Sequence, residues 1–179
     1  PPDGFNIRPT SDRLKESLFS IINSNKYEID IVNSNVLDIC SGTGSLGIES
    51  LSRGAKSVFF IDKDHRSINL IYKNIAKLDI DKQIENNIKI IRDEVIKALK
   101  NISKIFQIVL IDPPYNTNIT EKCLLKLKEF NLIDEGSYIF VESSKTEDFN
   151  YDGYQLLGIK FYGNSKLTIL RLLSSSSIE

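Results

Sequence analysis

VLDICSGTGSLG spans Val36 to Gly47. Its first five residues, Val36–Cys40, form an apolar run of strand length, and helical spacing resumes after the glycines, to about Arg53. A buried strand feeding a glycine turn and a helix is the unit of a parallel sheet covered by helices. Gly42 and Gly44 allow a tight turn and close approach of a ligand to the backbone. The following helix aims its N-terminal N–H groups at the same place.

The pattern repeats in both directions. Upstream, Leu14, Leu18, Ile21 and Ile22 share a helical face, with Thr10 or Ser11 as N-cap after Pro9. Downstream, strands are expected at Ser57–Asp62, Ile88–Ile91, Gln107–Asp112 and Ser137–Glu142. A helical stripe of Ile68, Ile71, Tyr72, Ile75 and Leu78 follows the second strand. Helices are also expected at Val95–Ile102 and at roughly Thr120–Phe130. The alternation then stops. Tyr154–Phe161 and Lys166–Leu173 read as two strands around the turn Tyr162-Gly163-Asn164-Ser165. One domain over residues 1–179 is expected, with a helical N-terminal segment (1–30) and a frayed tail (174–179).

Composition narrows the function classes. A chain of 179 residues that is 41% hydrophobic buries about two-thirds of its unfolded surface and needs no staple. A net charge of −1 excludes a protein that holds nucleic acid by bulk charge, but not an enzyme with a local basic face. The longest apolar stretch, near Ile105–Ile111, is far short of the roughly 20 residues of a membrane span. No signal peptide opens the chain, and Cys40 and Cys123 are too few for a disulfide framework, so a cytoplasmic protein is expected. His65 with two cysteines cannot build a His/Cys zinc site, and no metal is expected. There is no Met, and the chain opens Pro1-Pro2, which reads as a chain whose own N-terminus is missing or removed.

Gly42-x-Gly44-x-x-Gly47 matches a dinucleotide fingerprint. Asp38, four positions before Gly42, argues against that ligand, because a carboxylate there repels a pyrophosphate. It suits the sulfonium and ammonium groups of S-adenosyl-L-methionine. Two other readings stay open, a dinucleotide and a turn in which Asp38 caps a nearby backbone group. Asp62 ends the second strand, where a carboxylate accepts hydrogen bonds from ribose hydroxyls. After the third strand, Glu94 followed by Val95 fits an adenine contact best, with Asp93 as the fallback. The candidate contacts of the methyl donor are therefore Asp38, Ser41, Gly42, Thr43, Gly44, Asp62, Asp93, Glu94 and Val95. Five parallel strands closed by an antiparallel hairpin match, by fold analogy, the class I S-adenosylmethionine-dependent methyltransferase fold, an α/β Rossmann-like architecture.

Asp112-Pro113-Pro114-Tyr115 follows the fourth strand, at the sheet edge where such folds bind ligands. Two prolines hold the chain extended and remove two N–H groups. What remains is the Asp112 carboxylate, the Pro113 carbonyl and the flat face of Tyr115. That set suits an exocyclic amino group on a planar base. All four residues are candidate catalytic residues.

Arg8–Phe19 (RPTSDRLKESLF), Asp38–Ala55, Asp112–Tyr115 and Phe140–Ser143 (FVES) occur in this order. Together they resemble the bacterial RsmD family across essentially the whole chain. The resemblance implies methylation of a guanine N2 in 16S ribosomal RNA. It implies S-adenosyl-L-methionine on the Asp38–Gly44 loop and Asp62, and the target base at Asp112–Tyr115. It departs from the family's pattern in lacking a basic, glycine-containing segment before the RPT block. Arg8, Thr10, Arg13 and Lys15 are then candidate RNA contacts, with Lys122, Lys126, Lys160, Lys166 and Arg171 weaker ones. A monomer acting on an assembling or assembled small ribosomal subunit is expected. Rival readings are an adenine-N6 or cytosine-N4 DNA methyltransferase, a glutamine methyltransferase, and a non-catalytic ribosome-assembly factor that binds S-adenosyl-L-methionine.

Overall fold

Strand β1 (Asn35–Ile39) is buried along all but its first residue, as a strand with neighbours on both edges and helices on both faces must be. The computed structural model describes residues 12–24, 26–78 and 86–173. Helix α1 (Asp12–Ile22) precedes β1. Then follow α2 (Ser45–Ser52), β2 (Ser57–Asp62), α3 (His65–Ile75), β3 (Ile88–Arg92), α4 (Val95–Lys100), β4 (Ile108–Ile111), α5 (Ile119–Glu129), β5 (Tyr138–Ser144), β6 (Tyr154–Tyr162) and β7 (Ser165–Leu172). The seven strands form one sheet in the order β3-β2-β1-β4-β5-β7-β6. β1 to β5 run parallel, and β7 returns antiparallel between β5 and β6. These are the five parallel strands and closing hairpin that the sequence leads one to expect.

Alternate residues of each strand face opposite cores. Val36, Phe60, Leu110 and Phe140 meet α1, α2 and α3 on one face. Leu37, Ile61, Val109 and Val141 meet α4 and α5 on the other. Helix α1 buries Leu14, Leu18, Phe19, Ile21 and Ile22, each contributing roughly 1.5–3 kcal/mol. Arg53 stacks on the outer side of Phe19, 4.7 Å from the ring centre. No described helix is long and apolar enough to cross a membrane.

Three local expectations change. Tyr72 is 57% exposed, because it sits about 100° around α3 from buried Ile71 and turns away from the sheet. The helix expected to reach Ile102 ends at Lys100. There the N–H groups of Asn101 and Ile102 tighten onto the carbonyls three residues back, and the Asn101 amide takes the Lys97 carbonyl. The first hairpin strand runs one residue further, to Tyr162, and the second starts one residue earlier, at Ser165, so only Gly163 and Asn164 remain as the turn. A bulge at Leu156/Gly158 shifts the hairpin register. Thr10 and Ser11, the expected N-caps of α1, and the tail 174–179 lie outside the described residues.

Candidate functional site

The sheet order reverses between β1 and β4, which makes their carboxyl ends the natural ligand crevice. The two motifs meet there. Ile39 pairs with Ile111, and the Asp112 N–H donates to the Ile39 carbonyl at 3.2 Å. The glycine loop and the Asp-Pro-Pro-Tyr segment are thus fastened side by side.

The loop is held from several sides. Ser41 Oγ donates to the Asp38 carbonyl at 2.7 Å and accepts the Ile61 N–H at 3.0 Å. Asp62 accepts the Gly42 N–H at 2.8 Å through one oxygen and the Asp64 N–H at 2.8 Å through the other. Asn74, on α3, donates to the Thr43 carbonyl at 3.1 Å. Cys40 adopts φ 59° and Gly44 φ 77°. Positive φ at a residue other than glycine is uncommon, so the bond network around Cys40 holds a backbone that it would not choose alone. Above Gly42, a side-chain carbon would meet only the Cys40 carbonyl, at 4.0 Å. The loop is therefore open on its ligand side, with the Asp62 carboxylate at its edge. This cradle fits the methyl donor implied by the sequence.

Asp38 departs from the simplest form of its expected role. The side chain is 1% exposed, and one oxygen accepts the Gly47 N–H at 2.9 Å. Gly44, the N-cap of α2, has no side chain to cap the helix, so Asp38 supplies the missing acceptor from β1. The capping reading left open by the sequence is what the geometry contains. Burial pushes the Asp38 carboxyl up to about 7, with the Gly47 bond opposing and the nearby Asp62 charge adding to the rise.

Gly47 is required for this arrangement. A Cβ there would lie 2.3 Å from Phe60 Cε1 and 2.9 Å from Asp38 Oδ2. Gly47→Ala is expected to cost about 1–3 kcal/mol and to lower Tm by roughly 3–10 °C, read by thermal and urea unfolding. A variant as stable as the parent would show that this close approach is dispensable.

In the second motif, Asp112 is half-buried, Pro113 buried and Pro114 exposed. Thr117 Oγ1 donates to the Pro114 carbonyl at 2.8 Å and closes the turn. The Tyr115 hydroxyl lies 2.8 Å from Ser165 Oγ, at the start of β7. That contact fixes the hydroxyl end of the ring against the hairpin. The hairpin is anchored again where Tyr162 hydrogen-bonds Ser17 of α1. Sequence reading missed Ser165 and Asn74. The first stood out only as part of a turn, and the second only as a polar residue beside a helical stripe.

Beyond β3, Asp93 accepts the Glu94 N–H at 2.8 Å and faces Lys97. Glu94 reaches across to Lys63, beside Asp62, at 3.4 Å. Val95 packs at the rim of the second core. Cys123 is fully buried and its thiol is pushed up to about 12 by burial. Burial also pushes the Cys40 thiol up.

The candidate RNA contacts fare unevenly. Arg8 and Thr10 lie outside the described residues. Arg13 is exposed, and Lys15 is near Asp12 at 3.9 Å. Lys122 and Lys160 are exposed. Lys126 is paired with Glu129. Lys166 is corrected outright. It is 6% exposed and held by Asp148 at 3.0 Å, because β7 lies inside the sheet. Arg171 donates to the Glu135 carbonyl at 2.7 Å and lies over Tyr138.

Residues 1–171 match the family described as conserved hypothetical protein 95. An uncharacterized methylase of Rickettsia prowazekii is 32% identical over 97% of this chain and 93% of its own length. Ribosomal RNA small subunit methyltransferase D of Haemophilus influenzae is 34% identical over 78% of this chain and 69% of its own. A solved structure from Escherichia coli, provisionally named a methyltransferase, superposes with a TM-score of 0.78 at 26% identity, covering 98% of this chain and 92% of that one.

Proposed function

Because the chain belongs to the RsmD family, we propose that it transfers a methyl group to the exocyclic N2 of a guanine in bacterial small-subunit (16S) ribosomal RNA. The cofactor is S-adenosyl-L-methionine, which supplies an electrophilic methyl carbon on a sulfonium. The observation that carries this reading is the 3.2 Å bond from the Asp112 N–H to the Ile39 carbonyl. It fastens the two motifs side by side, which supports reading one as the methyl-donor loop and the other as the acceptors of an amino group.

The chain's residues divide the work. Gly42 and Gly44 bring bare backbone to the cofactor, Asp62 receives the ribose hydroxyls, and Glu94 or Asp93 receives the adenine amino group beside Val95. The lone pair of a guanine amino nitrogen is delocalised into the ring and is a poor nucleophile. The Asp112 carboxylate and Pro113 carbonyl accept from its two N–H bonds and favour a pyramidal nitrogen with its lone pair freed. Bound S-adenosyl-L-methionine would offer its methyl carbon to that lone pair, with the thioether as leaving group, and Asp112 would take the proton that the methylated nitrogen sheds. Positioning and fixed dipoles supply most of the acceleration. The base must be unstacked to reach this edge.

Unmethylated small subunits incubated with this protein and a methyl-labelled cofactor are expected to yield N2-methylguanosine on digestion. Methylated adenine or cytosine in DNA instead, or no transfer in a single turnover, would overturn the proposal. Tyr115 gives a second check. Tyr115→Ala is expected to raise the KM for subunits about 10- to 100-fold through lost stacking. Tyr115→Phe keeps the ring and is expected to stay close to the parent. Equal losses in both variants would assign Tyr115 to its Ser165 contact alone.

A further inference from the structure

Of the lysines that the sequence singled out, Lys15, Lys126 and Lys166 lie near carboxylates, but Lys89 and Lys104 converge where no motif lies, with the charge of Lys56 acting on Lys104. Lys56 precedes β2, Lys89 lies on β3 beside Phe59, and Lys104 precedes β4. The Lys89 and Lys104 ammonium groups each lie 5.3 Å from the centre of the Phe59 ring, so they are at most twice that distance apart. Lys56 and Lys89 are exposed and Lys104 half-buried. Among the described residues, none of the three has a carboxylate within ion-pair reach. Partial burial, and then the charges of Lys56 and Lys89, hold the Lys104 ammonium below its ordinary range. Beside Phe59, Lys89 and Lys104 line a cavity of about 460 Å³ with Asn86, Asn101 and Ser103.

Lys89 and Lys104 share this hollow with the apolar Phe59, Ile91 and Ile102, the charges of Lys56 and Lys89 both act on Lys104, and a bound anion relieves that repulsion directly. Lys56 and Lys104 precede β2 and β4, at the ends of the strands away from the catalytic motifs. Lys89, level with Phe59, lies three residues, roughly 10 Å, before the strand end that carries Asp62. A chain of net charge −1 draws a polyanion only through such local concentrations of charge. Resting on the proposed function, we propose that Lys56, Lys89 and Lys104 form a second RNA contact, which grips the phosphodiester backbone of a ribosomal RNA segment remote from the target guanine.

The test uses the full chain, a fluorescently labelled RNA hairpin of arbitrary sequence, and potassium chloride from 50 to 200 mM. The variant K56A/K89A/K104A is expected to bind the hairpin at least tenfold more weakly at the low-salt end. Its plot of log K against log salt is expected to be shallower by about 2 to 3, the count of lost phosphate contacts. Lys-to-Arg replacement at the same three positions is expected to restore binding. Calorimetry with S-adenosyl-L-methionine shows whether the variant keeps its fold and first site. On small subunits, KM is expected to rise with kcat retained. Unchanged RNA affinity and salt slope in the alanine variant would overturn the proposal. So would loss of binding to poly-glutamate with RNA binding intact, which would assign the cluster to an acidic protein. If the parent methylates subunits but the cluster variant binds RNA normally, this contact fails and the catalytic proposal stands. If the cluster variant loses RNA binding but the parent transfers no methyl group, the catalytic proposal fails and the RNA contact stands.

Discussion

Asp112→Ala is expected to lower the rate of methyl transfer about 10³-fold while changing affinity for S-adenosyl-L-methionine little. The carboxylate belongs to the segment after β4, and the methyl-donor loop follows β1. A backbone bond from Asp112 to Ile39 joins them, and alanine keeps that N–H. The loop's own supports, Ser41, Asp62 and Asn74, do not involve the Asp112 side chain. Single-turnover transfer of labelled methyl groups to small subunits, beside calorimetry, separates the two effects. Asp112→Asn retains an acceptor oxygen but not the base, and is expected to fall between alanine and the parent. Full activity in the alanine variant would remove Asp112 from the chemistry.

Asp38→Asn is expected to weaken binding of the cationic cofactor tenfold or more at pH 8 and to change how stability depends on pH. An unfolded Asp titrates near 4, whereas burial holds the folded Asp38 carboxyl at about 7. Between those values the folded chain keeps a proton that the unfolded chain has released. Unfolding free energy therefore falls as pH rises from about 4 to 7, then levels. Three pH units correspond to about 4 kcal/mol, an upper figure for one group. Asn still offers an oxygen to the Gly47 N–H but does not titrate, so this part of the slope disappears in the variant. The ionised carboxylate attracts a cation, so cofactor affinity in the parent is expected to rise through pH 7 relative to the variant. Comparing the two proteins cancels any titration of the cofactor itself. Parallel affinity profiles would mean that Asp38 acts on α2 alone.

Much of the fold is legible in the chain because its signals are local. The runs at Val36–Ile39 and Ser57–Asp62 are buried strands, since a parallel strand covered on both faces has no polar side to interrupt it, and Cys40 already turns into the loop. Leu14, Leu18, Ile21 and Ile22 do lie against the sheet. Tyr72 shows the limit of the same logic. A tyrosine beside an apolar stripe fits the pattern, yet small rotations about α3 decide whether it faces core or water. Lys166 shows the converse. Its charge suggests a surface residue, but β7 lies between β5 and β6, and the lysine is buried against Asp148.

The candidate site divides along the same line. Asp112 and the glycines are recognisable because their chemistry is carried by adjacent residues. Asn74 and Ser165 act on partners 31 and 50 positions away, and no local pattern announces them.

By itself, then, the sequence determined the elements, the two motifs and their order, because strand runs, turn residues and helical periods are properties of neighbours. The tertiary structure alone decided which strand ends touch, that Asp38 is turned onto Gly47, that Tyr115 is held by the hairpin, and that Lys89 and Lys104 meet over Phe59. Those outcomes depend on the sheet order and register. Both are set by the simultaneous packing of every strand against two layers of helices, a sum over the whole chain that no stretch of it contains.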